Sequence, residues 1–216
     1  MLQSITEDQM AKKATSRQPG SDRILDAALK LASGMRWRDI SMEMIASESG
    51  ATLARVYELF PTKAALLNAF IRRTDQTVLA GHDFDDASEP VRERLLDVLM
   101  RRLDALAPHR EAVASITRDL GRDPAALMCS VPAFMKSMAW SLEAAGVGTS
   151  GLFGLVRVKG LAAIYLSALR VWLRDETQDQ SVTMAHIDKN LKRAEAAMAM
   201  TPFRGGRRKN TDEPTD

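Results

Sequence analysis

Apolar residues recur every three or four positions along most of this chain, the spacing of one face of an α-helix. Ile24, Ala28 and Leu31 set the rhythm after Ser21, which predicts a capped first helix ending at Gly34. Met35 and Trp37 are expected to pack under the loop that follows. Further on, Ala65, Leu66, Ala69, Phe70 and Val78 predict a longer helix from Thr62 to about Ala80. After Pro90, the residues Val91, Leu95, Val98, Leu99, Leu103 and Leu106 predict an amphipathic helix with Arg92, Arg94, Arg101 and Arg102 outside. Val113, Ile116 and Leu120 mark the next helix, closed by Gly121. Asp123-Pro124 reads as a cap and first residue of a helix to Ala145, with a kink at Pro132. Two more helices run from Phe153 to about Arg174 and from Ser181 to about Met200. Valine and isoleucine seldom alternate with polar residues. The expectation is an all-α chain of about nine helices.

The stretch ISMEMIASESGATLARVYELFPTKAALL, from Ile40 to Leu67, breaks this rhythm into short pieces. Ser41 can cap one short helix, because its hydroxyl can accept from a free N–H of the first turn. Gly50 ends that helix, glycine entering a left-handed turn at little cost. Thr52 can cap a second helix to about Leu59, Pro61 stops it, and Thr62 caps the next. Two short helices joined by a tight glycine turn, with a third ahead of them, make a helix-turn-helix. The second of such a pair can enter the major groove of DNA.

The sequence resembles the tetracycline-repressor (TetR) family of transcriptional regulators. The residues that carry the likeness are Ile24, Ala27, Ala28, Leu31, Ile45-Ala46, Gly50, Tyr57, Phe60, Lys63 and Leu66-Leu67. The resemblance implies a three-helix DNA-binding head at residues 21–80, including a connecting helix, and a ligand-binding and dimerisation body at 81–200. Residues 1–20 then form a flexible arm and 201–216 a disordered tail. It also implies a ligand-responsive repressor that binds a palindromic operator in double-stranded DNA as a homodimer. The small and apolar residues of the last two helices, roughly 151–174 and 181–200, make those the expected dimer interface. Tyr57 and Lys63 match family positions that contact phosphate. Thr52 and Ser41 can reach phosphate from their helix starts, Arg55 can pair with guanine, and Leu53 can touch a thymine methyl. Leu53, Ala54 and Leu59 depart from the family's usual residues, and Glu43 and Glu58 place negative charge near the DNA side.

The body, in PVRERLLDVLMRRLDALAPHREAV and SMAWSLEAAGV, is similar to the ubiquinone-biosynthesis lipid-binding family, built on the same fold. That likeness implies an apolar chamber lined by Met135, Met138, Trp140, Phe153 and Trp172, for an unidentified apolar or amphipathic small molecule. It keeps a second function open: a lipid or isoprenoid carrier with a vestigial head.

Composition narrows the choice. The 216 residues are 45% hydrophobic and carry a formal charge of only +2. In the first 80 residues the basic side chains, among them Lys12, Lys13, Arg17 and Arg55, are offset by nine acids. DNA-facing charge must therefore come from local arrangement and from two subunits together. Lys12, Lys13 and Arg17 of the arm, and Arg207, Arg208 and Lys209 of the tail, are candidates for extra nucleic-acid contacts. Cys129 is the only cysteine, which points to a reducing cytoplasm and a small buried apolar role. The uncharged run Gly160 to Leu169 is shorter than the roughly 20 residues a bilayer needs, and no signal core opens the chain, so no membrane partner is expected. His82, His109 and His186 stand in no metal-ligand spacing, no phosphate-binding glycine loop occurs, and Asp85-Asp86 reads as a loop face. Neither an enzyme nor a cofactor is expected.

Overall fold

A computed structural model of the chain describes residues 19–80 and 89–199. The arm cations Lys12, Lys13 and Arg17, the loop residues His82, Asp85 and Asp86, and the tail cations Arg207, Arg208 and Lys209 lie outside the described residues. Among the described residues there are nine α-helices and no strand. The head consists of α1 (Pro19–Gly34), α2 (Met42–Ser49) and α3 (Leu53–Leu59), with the connecting helix α4 (Lys63–Ala80). The body consists of α5 (Val91–Leu106), α6 (Arg110–Leu120), α7 (Pro124–Ala144), α8 (Gly151–Trp172) and α9 (Ser181–Ala199). Short 3-10 turns at Trp37–Asp39 and Ala107–His109 lie before α2 and α6.

The local signals act as the sequence leads one to expect in most places. Ser41 accepts from the Met44 N–H at 3.1 Å, and Thr52 accepts from the Arg55 N–H at 3.2 Å. Each cap stabilises its helix by about 1 kcal/mol. Thr62 accepts from the Ala65 N–H, and Asp123 from the Ala126 N–H with Pro124 behind it. Gly50 has φ 65°, the left-handed conformation that closes α2. Two details differ. The first helix starts at Pro19, so Ser21 lies inside it and is not its cap; proline's fixed φ suits a first turn. Met35 is exposed, whereas Trp37 is buried.

Head and body share one continuous core. It runs from Ile24, Ala28, Ile45 and Val56 through Leu66 and Phe70 to Leu99, Leu103, Ile116, Leu161 and Trp172. α4 forms the bridge, packing on α5 and α7 and reaching α1, while α6 packs along α1. The helix α8 is apolar on two sides. Val158, Leu161, Tyr165, Leu169 and Trp172 are buried, and Leu152, Leu155, Val156 and Leu166 are exposed. Its 22 residues are long and apolar enough to cross a membrane by length and composition alone, although 39% of the relevant window is buried within the protein. Gly154 lets α8 start where it does. A Cβ there would lie 1.8 Å from the Thr149 carbonyl oxygen.

One charged group sits deep in the body. Arg102, expected outside, is 3% exposed. Its guanidinium pairs with Asp75 of α4 and lies 5.2 Å from the ring centroid of Tyr165 on α8. Ser137 of α7 donates to the same Asp75 oxygen. Four helices thus meet at one carboxylate and one guanidinium.

Candidate nucleic-acid interface

The helix-turn-helix presents one face outward. Val56 is fully buried and anchors α3 against the head core, while Leu53 is 52% and Tyr57 69% exposed. Thr52, Ala54 and Glu58 share that exposed face. Ser41 and Glu43 are exposed at the start of α2. The outer surface of α3 is therefore not packed on the rest of the chain among the described residues, and it has the width of a single helix, which suits a groove. Arg55 is held at 2.9 Å by Glu58 one turn on, an exposed pair that stabilises little and leaves the guanidinium able to exchange partners.

Lys63 behaves differently from what its position implied. Its Nζ points into the head. It donates to the carbonyl of Trp37, to that of Ile40 at 2.9 Å and to that of Arg38 at 3.4 Å, and it lies 4.9 Å from the Trp37 ring centroid. Burial lowers its pKa, while the negative charges of Asp119, Asp39 and Asp123 work the other way. In this arrangement Lys63 fastens the 3-10 turn before α2, adding to the Ile40 N–H that already donates to the Trp37 carbonyl at 3.3 Å.

The same turn is gripped from the body. The Trp37 N–H donates to the Ser115 hydroxyl at 3.0 Å, that hydroxyl donates to the Met35 carbonyl at 2.9 Å, and the Arg38 N–H donates to Asp119 at 2.9 Å. Ser115 and Asp119 belong to α6. Asp119 is buried and falls in helical register with the buried Ala112 and Ile116. Sequence reading missed this joint. The available signal was an acid standing on an apolar stripe.

The five residues expected to line a chamber differ in burial. Met138 and Trp172 are fully buried in the core, Met135 is half-buried, and Trp140 and Phe153 are about half exposed. Two cavities are lined by none of them. One of about 260 Å³ lies between α1, α3 and α4, and one of about 380 Å³ between the end of α1 and α6. Cys129 is exposed rather than buried, because it falls on the outer side of α7. Among the described residues no group of three or more potential metal-binding side chains occurs.

No family model and no curated protein matches the chain. Solved structures do. A TetR transcriptional regulator from Nitrosomonas europaea superposes with a TM-score of 0.67 at 24% identity, covering 83% of this chain and 99% of its own. The fold is the TetR fold. A TetR regulator from Rhodococcus sp. RHA1 matches with a TM-score of 0.60 at 19% identity, covering 82% and 96% of the two chains. A further TetR-fold structure, from Syntrophomonas wolfei, gives 0.59 at 14% identity over 88% and 100%. The match extends through the body as well as the head.

Proposed function

We propose that this chain is a ligand-responsive transcriptional regulator of the TetR type, a repressor that binds a palindromic DNA operator as a homodimer. The observation that carries the reading is the outward face of α3. Its capped start and its exposed Thr52, Leu53 and Tyr57 stand clear of the protein, while Val56 fixes the helix from behind. Leu53 and Ala54 suit thymine methyl groups, and Tyr57, Thr52 and Ser41 suit phosphate oxygens. Lys63 contributes by holding the turn that sets α2, rather than by reaching DNA in this arrangement.

The dimer is supported by α8 and α9. Leu152, Val156 and Leu166 on α8, with Val182, Met184 and Met198 on α9, are exposed apolar residues. An apolar surface of this kind in a water-soluble fold marks an interaction site. A two-fold axis there would set two α3 helices toward successive major grooves, about 34–36 Å apart.

A mobility-shift assay on the DNA upstream of the protein's own gene, repeated over a salt series, tests the reading. A specific shift that weakens about tenfold or more in Tyr57→Ala and Arg55→Ala supports it. The absence of any specific shift at low salt, together with lipid co-purifying in native mass spectrometry, gives the fold to a carrier instead.

A further inference from the structure

The cleft of about 380 Å³ at the seam between head and body has no part in the DNA-binding reading. One wall comes from the end of α1 and the residues after it, including Met35 and Arg36. The other comes from α6, with Glu111, Ala114, Ser115 and Arg118. Its volume falls in the range of small-molecule sites. Arg36 and Arg118 have no ion-pair partner among the described residues, and Glu111 supplies the cleft's opposing charge. Met35 and Ala114 add an apolar lining. The Ser115 hydroxyl in this wall is the one that ties the Met35 carbonyl and the Trp37 N–H to α6.

We propose that this cleft is a binding site for a small amphipathic anion, its charged end held between Arg36 and Arg118 and its short apolar part against Met35 and Ala114. Guanidinium groups without an acid partner are suited to a carboxylate or a phosphate ester, which they can meet through paired N–H donors. A molecule seated here touches α1 and α6 together. Its affinity therefore depends on how head and body sit, and by linkage its binding shifts that arrangement. The consequence for DNA rests on the regulator reading; the binding itself does not.

Calorimetric titration of the full chain without DNA, using octanoate, octyl phosphate and octanol as probes, tests the site. The expected result is one site per chain for octanoate, octyl phosphate or both, with octanol at least about tenfold weaker, as expected for loss of a charge-assisted hydrogen bond. Whichever anion is favoured identifies the head group. Arg36→Gln and Arg118→Gln each weaken the anion about tenfold, and Glu111→Gln tightens it. All three positions are exposed, so these variants fold. Equal affinity for octanol and the anions overturns the proposal. So does anion affinity unchanged in both arginine variants, or no saturable binding of either anion below about 1 mM.

Discussion

Lys63 is a cation whose charge is used within the protein. Three backbone carbonyls and an indole face surround it, and no other residue type places one compact cation with rotatable donors among them. Lys63→Met should cost about 1–3 kcal/mol and lower the thermal midpoint by several degrees, read by circular dichroism. Lys63→Arg should fail to rescue it, because a planar fork does not fit the same three carbonyls. His109 makes a second residue-scale prediction. Its ring stands edge-on to Phe70 at 5.6 Å, beside Arg73, and burial followed by the arginine's charge lowers its pKa from 6.5. As the pH falls through that ordinary value, the unfolded chain takes up the proton before the folded chain does. Stability must therefore decline as the pH drops below about 6.5, and be fully kept above it. Thermal melts at about pH 7.5 and 5.5 should show a smaller difference in His109→Gln than in the natural chain.

At the scale of elements, the helices were legible in the sequence because periodicity and capping are local. Ser41, Gly50, Thr52 and Asp123 each act within one turn of their own position, and each is found doing so. What could not be read locally was the choice between two faces of one helix. Arg102 sits in register with Leu99 and Leu106, on the apolar side of α5, yet its charge argued for solvent. Partners from other elements, Asp75 of α4 twenty-seven positions earlier and Tyr165 of α8, make its burial tolerable. Lys63 and Asp119 escaped for the same reason, since their partners come from other elements. Removing one member of the buried pair should be costly: Arg102→Met by about 3–5 kcal/mol in urea unfolding. Adding Asp75→Leu to Arg102→Met should recover much of that loss, because no unpaired carboxylate then remains buried.

For the whole molecule, the question is what covers the apolar exterior of α8. The buried side of that helix is satisfied by α7 and α9, and the proposed dimer would cover the other side with a second copy. Light scattering coupled to size-exclusion chromatography should report a dimer. Val156→Glu with Leu166→Glu should report a folded monomer, because both side chains are exposed in the single chain and a charge there opposes only association. A monomer for the natural chain at micromolar concentration would remove the proposed interface.

The turn Trp37–Asp39 is held on its amide side by α6 and on its carbonyl side by α4. Such a head is not a cassette. If residues 19–80 were transplanted onto a foreign module, the amides of Trp37 and Arg38 would lose their acceptors and the turn would slacken. Engineered hybrids of this protein should therefore keep α6 with the head, so that Ser115 and Asp119 stay in place as acceptors.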